Sequence, residues 1–194
     1  MKNSAPALAG QRKSLVTLTL AALFAALITA GTFIAIPLPG SPVPVVLQDM
    51  FALLAGLVLG PLLGAASVGI YLIAGALGAP VFAGASGGFT RFLGPTGGFL
   101  IGYLFMALLG GAILGRPKPD APLPLWRLAL GVIAGSLAVY GPGVLWLKIV
   151  LDDTVGGALL KGFVPFIPGT ILKGIAGGII AKRLRRIAAD LLNA

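Results

Sequence analysis

The sequence predicts an all-α integral membrane protein, a single bundle of six transmembrane helices with both termini in the cytoplasm. Three observations predict it. Hydrophobic residues make up 58% of the chain and charged residues 10%, where a soluble domain carries about 25% charged residues. The apolar residues fall into long runs separated by short Pro- and Gly-rich segments. The basic residues, which give a net charge of +9, collect in alternate segments. At 194 residues, the chain suits one compact transmembrane domain over 1–194 better than two domains.

Residues 1–13 form a cytoplasmic N-terminal segment carrying Lys2, Arg12 and Lys13. Residues 14–36 are uncharged and long enough to cross about 30 Å of hydrocarbon. This run exceeds the ~7–15 apolar residues of a cleaved signal. Residues 47–60 and 62–77 are short for spans, and Gly60-Pro61 separates them. One helix over both would be about 45 Å long at ~1.5 Å per residue, too long for the core. Residues 99–114 form the fourth span. Residues 128–151 form the fifth, with a kink expected at Gly141-Pro142-Gly143. Residues 168–187 form the last, opening on a proline suited to a first helical turn.

Charge parity supports the division at Gly60-Pro61. With six spans, Lys2, Arg12, Lys13, Arg116, Lys118, Arg127, Lys182, Arg183, Arg185 and Arg186 share one side. Only Arg91, Lys148, Lys161 and Lys173 lie at or near the other. Basic residues concentrate on the cytoplasmic side of multi-pass proteins, so the net charge is a topology signal and nucleic acid is not an expected partner. The outer segments are then 37–46, 78–98 and 152–167. The first, "PLPGSPVPVV", has four prolines in eight residues; it cannot be helical, and is either a stiff lid or an ordinary connection.

The chain lacks histidine, cysteine and glutamate. Disulfides and Cys/His zinc sites are excluded, and general acids and bases are few. The five acids are Asp49, Asp120, Asp152, Asp153 and Asp190. Asp120 and Asp190 fall in solvated cytoplasmic segments, and Asp152-Asp153 reads as solvated outer surface. No serine has an evident base, and "GPTGG" lacks the Gly-Lys-Ser/Thr ending of a phosphate loop. The chain is therefore not read as an enzyme, and no metal or cofactor is expected.

Asp49, Arg91 and Lys173 stand near the outer ends of apolar spans, where charge is costly and is usually paired or functional. Arg91 and Lys173 could simply snorkel, and Asp49 could be an acid favoured by a helix N-terminus. Their shared level beside the lid-like segment favours a small-molecule site, apolar with a few polar anchors. The two cations suit a carboxylate. In the first span, Ala21 and Ala25, Ala22 and Ala26, and Ala26 and Ala30 are four apart, so they stack on nearby helix faces. Such stripes admit a close second backbone, either within the bundle or from another membrane protein. Gly56, Gly60 and Gly64 repeat the spacing and read as internal packing.

The stretch "GGFTRFLGPTGGFLIGY", residues 87–103, resembles the signature of the BioY family, the biotin-transport S components of energy-coupling-factor (ECF) transporters. "PVPVVLQDMFALLAGLVLGPLLGAASVGIYLIAGALGAPVFAG" resembles that family's second and third spans, and "FIPGTILKG" the start of its last. The resemblance covers nearly the whole chain. It implies a six-helix bundle of the ECF S-component type in the bacterial cytoplasmic membrane, among lipid, with biotin bound near the outer face. It also implies docking through the alanine stripe, Ala22, Ala26 and Ala30, to a T component coupled to paired ABC-type ATPases. Substrate-binding residues are then expected among Lys173, Thr170, Asp49, Gln48 and Arg91. Two departures stand out. The family's last span opens on Pro-Gly-Asp-x-x-Lys, and here Thr170 replaces the acid. Asp49 follows Gln48 where the family more often has an uncharged residue. Asp49 is accordingly expected to pair with Lys173 across the pocket, with Thr170 supplying a neutral hydrogen bond. Arg91 is expected to bond outer-loop carbonyls or face the ligand carboxylate. Other readings are an S component for another small vitamin, or a membrane scaffold that uses only the alanine stripe.

Overall fold

A computed structural model describes residues 5–119 and 122–193; Lys2 and Asp120 lie outside the described residues. The fold is helical throughout, with one two-stranded hairpin. Helix α1 (Ala5–Thr32) leads to strands β1 (Ala35–Ile36) and β2 (Val45–Val46), which pair antiparallel with Ala35 opposite Val46. Helices α2 (Gln48–Leu59) and α3 (Pro61–Ala76) follow, then the short α4 (Thr90–Leu93) and α5 (Gly97–Leu114). The chain continues through α6 (Leu125–Ala138), α7 (Tyr140–Val150), α8 (Val155–Gly162), a 3₁₀ turn at Val164–Phe166 and α9 (Ile167–Asn193).

The first span is displaced from its expected limits. It starts within the basic segment and stops at Thr32 rather than 36. Ile36 precedes Pro37, and a residue before proline is held out of the helical region, so the chain enters β1. The fifth span breaks at Val139, not at the Gly-Pro-Gly itself. Pro142 cannot bond the carbonyl of Ala138, four residues earlier, and its ring would strike it. The α6 helix ends at Ala138, and Pro142 sits in the first turn of α7, where a missing N–H costs nothing.

The segment 152–167, expected as loop, is mostly helical. Thr154 caps α8 by accepting from the Gly157 N–H at 3.0 Å. Asp152-Asp153 is not a uniform solvated patch either. Asp153 accepts from Lys161 Nζ at 2.9 Å and from the Thr154 N–H at 2.7 Å. The Lys161 hydrogen bond, followed by that of Thr154, holds the Asp153 carboxyl below the ordinary carboxylate range.

Four stretches are long and apolar enough to cross a membrane by themselves among the described residues: Gly10–Thr32, Gly97–Leu114, Leu125–Val150 and Val155–Leu192. The α2 and α3 helices, 12 and 16 residues long, reach only about 18 and 24 Å at ~1.5 Å per residue. Gly60, with φ of 85°, makes the sharp reversal between them, and Pro61 starts α3.

The α2 helix is the centre of the bundle, with ten of its twelve residues buried. Gly56 is the contact point: a Cβ there would lie 2.7 Å from the Ala107 Cα of α5, and one at Gly64 2.6 Å from the Gly56 Cα. Side chains would force the three helices apart, so these glycines are internal packing. Arginines finish the opposite end from the hairpin. Arg185 of α9 donates to the carbonyls of Leu57 at 2.5 Å, Leu114 at 2.9 Å and Gly115 at 2.7 Å. It thereby satisfies the free carbonyls at the C-termini of α2 and α5. Arg127 does the same for Ile113 at 2.6 Å. Two residues read only as topology signals are thus also helix caps.

Candidate functional site

At the loop end, the start of α2 faces the second turn of α9. Thr170 and Lys173 are three apart on α9 and share a face. Asp49 lies in the first turn of α2. Its Oδ2 accepts a very short hydrogen bond from Lys173 Nζ, which also donates to the Val46 carbonyl at 3.0 Å. The Asp49 Oδ1 accepts from the Met50 N–H at 2.8 Å. The two side chains are 18% and 13% exposed, so the pair is largely removed from water. The expected Asp49–Lys173 pair is present. Thr170 shares a very short hydrogen bond with the Tyr140 hydroxyl of α7.

These groups border a crevice of only about 10 Å³, shared with Met106, Ser136 and Val139. That is room for at most one water. A lysine has three donors; two are used, and the third remains for a ligand, as does the second lone pair on each Asp49 oxygen. The cluster can therefore hold a carboxylate at Lys173 and N–H donors at Asp49.

Gln48 is placed differently. Adjacent helical residues are about 100° apart, so Gln48 turns away from Lys173 into the core, where it is 3% exposed. It donates to the Tyr103 hydroxyl at 2.8 Å and accepts from the Tyr71 hydroxyl at 3.2 Å. This buried network ties the start of α2 to α3 and α5. Neither tyrosine is singled out by sequence; the available signal is that a buried tyrosine inside an apolar helix needs a partner for its hydroxyl.

Arg91 is not part of the cluster. It is exposed on α4, and its guanidinium makes no hydrogen bond to a loop carbonyl among the described residues, contrary to the expected loop-organising role. The neighbouring Phe92 packs edge-on against Phe82 at 5.6 Å and stacks on Phe89 at 5.7 Å, which turns Arg91 outward. The loop is held by other groups. The Gly88 N–H donates to the Gly75 carbonyl at 2.7 Å, and Trp146 Nε1 to that of Gly94 at 3.0 Å.

The proline-rich segment closes over this end. The Ser41 hydroxyl reaches the Lys161 carbonyl of α8 at 2.7 Å and accepts from the Val43 N–H at 3.1 Å. On α1, Ala22, Ala26 and Ala30 are exposed, whereas Ala21 and Ala25 are buried. The two alanine rows thus face opposite environments. Among the described residues no three His, Cys, Asp or Glu side chains converge as a metal site would require.

Known proteins share both sequence and fold. A probable biotin transporter BioY of Pyrococcus horikoshii is 42% identical over 167 residues, 86% of this chain and 94% of that protein. The biotin transporter BioY of Thermotoga maritima is 38% identical over 170 residues, covering 88% and 96%. The crystal structure of the S-component for biotin from an ECF-type ABC transporter superposes with a TM-score of 0.78 at 32% identity, covering 89% of this chain and 92% of that one. The BioY family pattern matches residues 2–190, and with a shared fold and end-to-end similarity this chain belongs to the BioY family.

Proposed function

We propose that this chain is the substrate-capture subunit for biotin uptake, a single transmembrane substrate-binding domain with six spans and cytoplasmic termini in a bacterial cytoplasmic membrane. The observation that carries it is the Asp49–Lys173 pair beside Thr170 and Tyr140 at the loop end of a BioY fold. Biotin offers matching chemistry: a carboxylate for Lys173 and ureido N–H groups for Asp49. Gln48 fixes the start of α2 and so aims Asp49. Arg91 lies outside the cluster, so Lys173 is the cation that holds the carboxylate. In the six-span arrangement the short α2 and α3 cross because the bundle, rather than lipid, surrounds α2. A cysteine at Asn193 shielded from an impermeant thiol reagent in intact cells supports this topology, and its labelling in sealed cells removes it.

The crevice of about 10 Å³ is far below the ~300 Å³ or more of a small-molecule site. Lys173 also holds the Val46 carbonyl, at the end of the proline-rich segment, so entry of biotin is expected to move that segment off α8. Ser41→Ala removes its tether, a hydrogen bond worth about 1 kcal/mol, and is expected to speed biotin release about fivefold in stopped-flow measurements. An unchanged release rate means the segment is not the gate.

Release to the cytoplasm follows from coupling to a T component and its ATPases through Ala22, Ala26 and Ala30. Equilibrium binding of labelled biotin to the purified chain tests the proposal. Saturable binding with Kd near nanomolar is expected, about −12 kcal/mol over about sixteen heavy atoms, within the ligand-efficiency ceiling. No binding at micromolar biotin refutes it.

A further inference from the structure

A second, larger concavity adjoins this cluster and shares Ser136, Tyr140, Thr170 and Gly174 with its crevice. A groove of about 1180 Å³ runs between α6 and α9. Gly174 and Gly178 of α9 form its floor, where a Cβ would sit 3.0 and 3.4 Å from the methyls of Val132 on α6. Ile133, Ile175 and Ile179 form exposed apolar walls. Lys182, Arg183 and Arg186 line one end. These three cations are exposed and make no ion pair among the described residues; Asp190, one turn beyond Arg186, bridges none of them. From Thr170, at the far end, to Arg186 the helix rises about 24 Å, most of a ~30 Å hydrocarbon core.

The two ends select the occupant. A water-soluble anion gains nothing from isoleucine walls. A second copy packed by a two-fold axis along the membrane normal would meet this face with its own. Lys182, Arg183 and Arg186 of both copies would then lie at one level, and like charges repel. A phospholipid matches both features, with its chain against apolar side chains and its phosphate among cations at the membrane surface.

We propose that the groove is a specific site for an anionic glycerophospholipid. Lys182, Arg183 and Arg186 hold the phosphate, and an acyl chain runs over Gly178 between Ile175 and Ile179. The site depends on α9 crossing the membrane; its cations and Gly178 lie outside the Asp49–Lys173 crevice.

Electron spin resonance of the chain in phosphatidylcholine vesicles tests it, with trace spin-labelled phosphatidylglycerol or phosphatidylcholine as probe. The wild-type chain is expected to immobilise phosphatidylglycerol preferentially. In K182Q/R186Q, which keeps Arg183 and Arg185 as topology signals, the preference is expected to fall about fivefold per cation removed, towards parity. Gly178→Leu fills the groove and is expected to reduce immobilisation of phosphatidylglycerol while biotin binding, measured in the same vesicles, is retained. Equal immobilisation of the two lipids by the wild type, or a preference unchanged in K182Q/R186Q, overturns the proposal. A photo-crosslinker at Ile175 that captures a second chain instead of lipid also overturns it.

Discussion

Asp49→Asn is expected to weaken biotin binding by about a hundredfold. Breaking a buried ion pair by removing one partner costs ~3–5 kcal/mol. The lower end applies here because both side chains keep some exposure, 18% for Asp49 and 13% for Lys173, so water screens part of the loss. Asn keeps the shape and can still accept from the Met50 N–H, but it leaves the Lys173 ammonium with only the Val46 carbonyl. Thr170→Asp added to Asp49→Asn is expected to restore much of the affinity. The new carboxylate sits one turn before Lys173 on the same face of α9, and it can still accept from the Tyr140 hydroxyl. The double change D49N/K173Q separates a binding role from a structural one. Removing both charges relieves the unpaired-charge penalty, so thermal stability without biotin is expected to recover. Affinity is expected to stay low, because the ligand has lost its cation and its acceptor. Recovery of affinity along with stability would falsify the binding role and leave the pair as a brace between α2 and α9.

Ala22→Trp with Ala26→Trp is expected to abolish coupled uptake in cells and to leave biotin affinity in detergent within about twofold of the wild type. Both alanines are exposed, and the packing face of α1 is carried by Ala21, Phe24, Ala25 and Ile28, each 6% exposed or less. Bulk added at 22 and 26 therefore meets nothing inside the bundle. It does keep a second helix away, since close helix contacts in membranes rely on small residues. Uptake at the wild-type rate, with the chain still recovered with its T component, shows that docking uses another face.

The sequence by itself determined the class of fold, the reversal at Gly60-Pro61 and the charged pair of the polar cluster, Asp49 and Lys173. Apolar runs of span length, a Gly-Pro step and a rare charge inside an apolar helix are all local signals, readable without knowing what packs on what. The family signature added the ligand, because R-x-x-G-P-T-G-G has few other sources. Directions and partners were decided by the tertiary structure. Gln48 and Asp49 are neighbours in sequence, yet one joins a buried tyrosine network and the other the Lys173 pair, since a helix turns about 100° per residue. Arg91 was placed outward by Phe92 beside it, which takes the inward position on a helix of four residues. Which alanine row faces out, and that Arg185 caps two helices distant in sequence, depend on how α1 and α9 pack. The α8 helix lay hidden in an apparent loop because eight residues are too few to show a period. Its cap at Thr154 was the one local sign. The groove between α6 and α9 left no such mark, because a concavity belongs to two helices together and to neither alone.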